Sequence, residues 1–426
     1  MSVILLVLFA VLALLGMPLV FALGFASLGG LAAVGFDNVV LPQRMLHAVN
    51  SFPLMAIPLF MIAGELMVAA GIIKRLVDFA NTLVGRVHGG MALVAIISGA
   101  IMAAVSGAAV ASASALGSSL LQPLRKYYDD GYISAVIASA ANLGPIIPPS
   151  NAMIVYALMA GSSVSVGALF IAGIIPGLII AVGLMITASI ISYRKGYPLS
   201  GEDFDIHKVW KQFQKAIIIL LMPIIVVGGI IWGAFTATEG AGIAVAYAAV
   251  IGFFITKELK WKMIPEVLFR AALFSAIVGA LIAFAATVTF VFTIDMVPNK
   301  VSTWIKAITS DPNMFIFLVM CVLVVAGMLL ESNAAMIMLV PLLAPVAASY
   351  GIDPLYFGFL FVLNLMIGMM TPPVGVLLFV MAGITKVRIE VMVKSCLPFI
   401  AVQFAVLILV AVFPQLCLWL PRMLGF

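Results

Sequence analysis

Gly144-Pro145-Ile146-Ile147-Pro148-Pro149-Ser150-Asn151 and Thr371-Pro372-Pro373-Val374-Gly375 decide how this chain folds. Their proline pairs stand 224 residues apart, inside two very apolar stretches, flanked by small or polar residues rather than by charged loops. Proline deletes an amide donor and clashes with the preceding turn, so a helix entering either stretch unwinds and frees backbone carbonyls. In lipid such carbonyls are tolerable only beside protein or a polar cavity. Paired interruptions in two halves of a chain point to the substrate and ion site of a secondary transporter.

Working outward, 65% of the 426 residues are hydrophobic and 9% are charged, against about 25% charged in an average soluble domain. Apolar runs near the ~20 residues needed to cross a bilayer recur, and no alternating pattern suggests a barrel. The fold expected is an all-α polytopic membrane protein. Ser2 to Val34 lacks a basic leader and reads as a retained helix. The formal charge of +5 is carried by connections between spans, where membrane topology explains it, and no nucleic-acid footprint is visible. Cys321, Cys396 and Cys417 fall in apolar runs without ligand-like spacing and read as core thiols.

The densest basic stretches, Arg194 to Lys215 and Lys257 to Arg270, place those connections on the cytoplasmic side. Propagating that orientation leaves Asp295 to Asn313 outside and puts Arg125, Lys126, Lys386, Arg388 and Lys394 inside. Met91 to Gln122 must then begin and end on the inner side, turning near Ser106-Gly107. Met314 to Ser349 must begin and end on the outer side, turning near Glu331-Ser332-Asn333. Both read as re-entrant hairpins, entering from opposite faces. Tyr132 and Tyr356 repeat the 224-residue offset, so the halves read as an inverted repeat. Residues 1–193 form the first repeat, 194–215 a cytoplasmic basic connection and 216–426 the second repeat. Amphipathic pieces, Ile72 to Val84 and Lys300 to Thr309, precede the hairpins as arms along opposite surfaces.

These residues resemble a family, the large membrane subunit of the tripartite ATP-independent periplasmic (TRAP) transporters. Gly144 to Ser150 resembles its first signature, Thr371 to Gly375 its second, and Phe235-Thr236-Ala237-Thr238-Glu239 a third, with Ala237 where the family often has proline. Gly173 to Gly177 and Gly327 to Glu331 also fit, in the family's order across nearly the whole chain. The resemblance implies a sodium-driven elevator in the bacterial inner membrane, in which a unit holding both hairpins slides against a scaffold. It also implies two partners: a smaller four-helix membrane subunit, expected here as a separate polypeptide, and a periplasmic binding protein that delivers an organic acid, such as a dicarboxylate or sialic acid.

Sodium suits oxygen ligands, and hairpin turns meeting unwound helices supply carbonyls and hydroxyls without fixed charge. The first expected site combines Ser106 and Gly107 with Asn142, Gly144 and Pro145. The second combines Glu331, Ser332 and Asn333 with Gly368, Met370 and Thr371. Small residues also permit close helix packing, and Ser112, Ser114 and Ser118 are read that way. Ser150 and Asn151 have two readings, as donors to an organic anion at a half-helix start or as simple caps. Among carboxylates, Glu65 pairs with Lys74 or Arg75 or is functional, and Glu331 stands open to a proton-coupled role. Thr236 and Glu239 have capping-box spacing.

An enzyme would need a convergent nucleophile, acid–base pair or metal cluster. His47, His88 and His207 are scattered, and no motif accompanies them. A passive channel is a further alternative, since re-entrant hairpins occur in channels too, but two inverted hairpins within one chain favour alternating access around a central site. A stand-alone sodium-coupled dicarboxylate carrier remains the alternative, separated from the tripartite reading by its independence of a binding protein.

Overall fold

The computed structural model describes residues 1–33, 35–37, 39–84, 86–200 and 205–426, and leaves the side chains of 105, 106 and 162 undescribed. Residues 201–204 of the basic connection therefore lie outside it. Among the described residues, eight helices are long and apolar enough to cross a membrane.

The inverted repeat appears element by element. An arm, Ile72–Val84, leads into a hairpin of helices Gly90–Ser106 and Ala109–Leu124. A broken helix follows, Asp130–Ala141 and Asn151–Ala160, and then the long helix Val166–Arg194. The second half runs through an arm, Val297–Ile308, a hairpin, Pro312–Leu329 and Ser332–Ser349, a broken helix, Pro354–Gly368 and Val376–Thr385, and a long helix, Ile389–Val412. The scaffold comprises Ala56–Ala69, Ile206–Ile231, Ala237–Val250 with its π-helical extension to Thr256, and Ile264–Ile294.

The breaks fall at the proline pairs, and the peptide bonds Pro148–Pro149 and Pro372–Pro373 are both cis. The half-helices that enter them form the centre of the core. Gly131 to Ala141 and Tyr356 to Gly368 are buried throughout, as expected of helices apolar on every side. Each is fixed at its start by an aspartate cap: Asp129 accepts from the Tyr132 amide, and Asp353 from those of Leu355 and Tyr356. Each is also tied to its long helix. The Tyr132 hydroxyl donates to the Ala188 carbonyl and that of Tyr356 to the Ala411 carbonyl, both at 2.8 Å.

One expectation is corrected, and two local details are added. Ser2 to Val34 is not one helix: Ser2–Leu14 and Leu19–Ala32 are separated by Gly16, at φ +84°, and Pro18, which caps the second. Glycine takes the left-handed turn and proline cannot continue the preceding helix. The basic connection is partly helical, because Asp205 accepts from the His207 amide and starts the following span at Ile206. Among the described residues there is also one small sheet, where Val87–His88 pairs antiparallel with Leu199–Ser200 and ties the root of the first hairpin to that connection. The capping box holds: the Thr236 amide donates to the Glu239 carboxylate at 2.8 Å and the Glu239 amide to Thr236 Oγ1 at 3.3 Å.

Candidate functional site

Each hairpin tip seats on the broken helix of its own half. In the first junction Gly107 ends the first hairpin helix at φ +61°. A Cβ there would stand 2.8 Å from the Pro149 carbonyl oxygen and 3.1 Å from the Asn151 nitrogen, so a side chain would hold the tip off the break. The Asn151 amide donates to the Gly107 carbonyl at 3.3 Å, and Gly144 lies against the Ala108 carbonyl. Ser150 Oγ accepts from the Met153 amide at 3.2 Å and donates to the Pro145 carbonyl at 2.6 Å. The capping reading of Ser150 is thus the geometry present, and it occupies Pro145 as well. Asn151 Nδ2 donates to the Met61 sulfur at 3.1 Å. Asn142 is 1% exposed; its Nδ2 donates to Gln403 Oε1 at 2.7 Å, while its Oδ1 has no partner among the described residues. Ser106 ends the helix beside this junction, and its side chain lies outside the described residues.

The second junction repeats the backbone and changes the side chains. The Gly375 amide, 224 positions after that of Asn151, donates to the Met328 carbonyl at 3.0 Å. Gly327 and Gly368 meet so closely that a Cβ on Gly368 would stand 2.7 Å from the Gly327 Cα. Glu331 caps the second hairpin helix: its carboxylate accepts from the Asn333 and Ala334 amides, Ser332 Oγ and Asn333 Nδ2, at 2.9 to 3.2 Å. Asn333 Oδ1 is buried without a partner among the described residues. Thr371 Oγ1 donates to the Ile367 carbonyl at 2.7 Å. The tip touches the break through Gly327 and Met328, one turn before Glu331. No hydrogen bond among the described residues joins Glu331, Ser332 or Asn333 to Gly368, Met370 or Thr371.

The motif-based reading missed Gln403, which is 1% exposed in the last long helix. It accepts from Asn142, and its Nε2 points at the Met370 sulfur at 3.4 Å, so one amide bridges the two breaks. A lone glutamine within an apolar span was the signal, since a polar group there needs an interhelical partner. Asn364 carries the same signal: it is fully buried and neither amide atom has a partner among the described residues.

Cavities approach this centre from the two sides that the basic connections predict to be inner and outer. An inner one of about 690 Å³ is lined by Met61, Glu65, Val110, Ser114, Ser118 and Arg270. It reaches Met61, which holds Asn151, and Val110, three residues past Gly107. Glu65 therefore faces Arg270 rather than the arm, while Arg75 pairs with Glu258 at 3.9 Å. Arg270 itself is paired with Glu266, one turn away on its own helix. Ser112 is buried, whereas Ser114 and Ser118 line the cavity. An outer cavity of about 580 Å³, with Tyr156, Thr289, Pro341 and Phe357 in its wall, stops short of both junctions. At the inner rim Asp129 joins Lys195 and Tyr197. Partial burial opposes its charge, but those hydrogen bonds and the Tyr132 amide hold the carboxyl below its ordinary range.

Comparison with known proteins places this geometry. The family model described as "Tripartite ATP-independent periplasmic transporter, DctM component" matches residues 6–416. The C4-dicarboxylate TRAP transporter large permease protein DctM of Pseudomonas aeruginosa is 33% identical, over 90% of this chain and 89% of its own. The sialic acid TRAP transporter large permease protein SiaM of Vibrio cholerae is 34% identical, over 96% and 95%. The isethionate TRAP transporter permease protein DctMQ of Oleidesulfovibrio alaskensis is 35% identical over 96% of this chain, which spans 64% of that longer protein. In fold, the crystal structure of the Alcanivorax borkumensis YdaH transporter aligns with a TM-score of 0.64 at 14% identity, covering 89% of this chain and 88% of that one.

Proposed function

Because the chain belongs to the tripartite ATP-independent periplasmic transporter family as its DctM component, a multi-pass permease of the bacterial inner membrane and not an enzyme, we propose that it imports an organic acid coupled to sodium by an elevator movement of its hairpin-bearing unit. The acid would arrive on a periplasmic binding protein, and a small four-helix membrane subunit would brace the scaffold. Relatives named for C4-dicarboxylate, sialic acid and isethionate favour an organic anion as substrate.

The observation that carries the sodium reading is the pair of buried, unpartnered amide oxygens, Asn142 Oδ1 at the first break and Asn333 Oδ1 at the second hairpin tip. Burying such an acceptor unmet costs about 1–3 kcal/mol, which a cation ligated there would offset. The described residues contain no cluster of three His, Cys, Asp or Glu side chains that could hold a metal. The ligands would therefore be carbonyl, amide and hydroxyl oxygens around Gly107, Asn142 and Gly144 and around Asn333, Gly368 and Thr371, a set suited to sodium. The Glu331 carboxylate serves this reading by fixing the second tip. The substrate would lie where the inner cavity ends, beside Asn151 and the N-terminus of its half-helix.

The test is uptake of labelled organic acids into proteoliposomes holding this chain and its small partner, with and without a sodium gradient and a cognate binding protein. Uptake that needs both is the expected result. Uptake with sodium alone would favour a stand-alone carrier, and uptake indifferent to sodium would remove the coupling.

A further inference from the structure

On the outer face, the short helix Val40–Val49 carries Arg44 over the ring of Phe290, with the guanidinium carbon 4.1 Å from the ring centroid. Phe290 is braced edge-on by Phe36 at 6.0 Å, so the cation rests on a fixed aromatic platform. No carboxylate among the described residues pairs with Arg44. With His47, Ser51 and Thr289 it lines a cavity of about 270 Å³, which shares Met159, Thr289 and Pro341 with the larger outer cavity. Neither lining includes an aspartate or glutamate. The acid beside that wall, Asp295, is already committed to the Ser2 amide at 2.9 Å, Lys300 at 2.9 Å and the N-terminal ammonium at 3.7 Å. These bonds, the Ser2 amide foremost, hold it well below the ordinary carboxylate range. The two linings thus hold one arginine and no carboxylate, and a cleft lined by one sign of charge raises the local concentration of the opposite ion.

We propose that Arg44 forms a capture site for small organic anions, carboxylates or sulfonates, at the outer mouth, ahead of the site at the junctions. The inference rests on the transport reading for its purpose. Its chemistry stands alone: a planar guanidinium held open on a ring face suits a bidentate anion, and its charge raises the local anion concentration.

The experiment requires no transport and no known substrate. In a Cys321→Ser background, which removes the exposed thiol, Ser51→Cys places a probe in the cavity wall of the full-length protein. Its labelling rates with an anionic and a cationic methanethiosulfonate reagent are compared. Capture predicts faster labelling by the anion, and Arg44→Gln lowers the anion-to-cation ratio about fivefold, as expected for loss of one nearby charge felt by both reagents. Arg44→Lys retains most of the preference, and high salt shrinks it. If Ser51→Cys does not fold, Thr289→Cys, in the lining of both cavities, gives the same readout. An unchanged ratio in Arg44→Gln overturns the proposal and leaves Arg44 as an interfacial anchor for lipid phosphate. Failure of organic-acid uptake with the ratio intact would count against the substrate assignment alone.

Discussion

The two hairpin junctions share a backbone and almost nothing else. Both seat a tip on a proline break, and both close with an amide-to-carbonyl bond from break to hairpin, Asn151 to Gly107 and Gly375 to Met328. The first tip turns on a bare glycine, and the break it seats on takes polar support from Gln403. The second turns on a carboxylate cap and relies on two glycines in contact. Inverted copies keep the backbone register that creates a cavity in lipid, while each is free to choose how it satisfies its buried polar groups.

The largest effect should come from the glycines. Gly144 and Gly368 occupy equivalent positions, yet a Cβ on Gly368 would meet backbone at 2.7 Å and one on Gly144 no closer than 3.0 Å. Gly368→Ala should lower stability by about 1–3 kcal/mol, as overpacking does, and nearly abolish uptake, with Gly144→Ala milder in both. Equal thermal-unfolding and uptake losses would erase the distinction. Next, Gln403→Leu leaves the Asn142 Nδ2 buried and unpaired, a cost of about 1–3 kcal/mol, whereas the second break loses only a weak contact to sulfur. Unfolding midpoints and sodium titrations should show damage that Met370→Leu does not reproduce.

Thr371→Ala should weaken sodium dependence severalfold while leaving the fold intact, because its hydroxyl spends its proton on Ile367 and keeps lone pairs for a cation. Ser106→Ala should do the same at the first site, and unchanged sodium titrations in both variants would remove the assignment. The smallest effect concerns the Asp129–Lys195 pair at the inner rim, half exposed and worth at most about 1 kcal/mol after screening. The folded carboxyl titrates below the ordinary 3.8, so its contribution is present above that value and is lost as pH falls through the lower folded value. The gap in unfolding temperature between Asp129→Asn and the parent should therefore close in acid. A gap that persists would assign the effect to packing.

The elements were largely legible from residue types. Proline pairs located the breaks, Thr236 and Glu239 announced their capping box, and the 224-residue offset carried through arms, hairpins and broken helices. The first segment was misread as one helix because its apolar run masks Gly16 and Pro18. At the site, the tips and breaks were legible because unwinding is local chemistry. The bridge through Gln403 was not, since it joins residues 261 positions apart. Nor was the placement of Glu65 in a cavity wall shared with Arg270, because a charge near a helix end fits several partners until the neighbouring helices are set.

The sequence by itself determined a helical membrane protein, its two interrupted halves and the family to which it belongs, because hydropathy, proline and capping act through near neighbours. Only the tertiary structure decided which oxygens stay buried without partners, which cavity reaches the first junction and which arginine stands uncompensated. Those properties depend on distances between helices remote in sequence, and no local pattern encodes them.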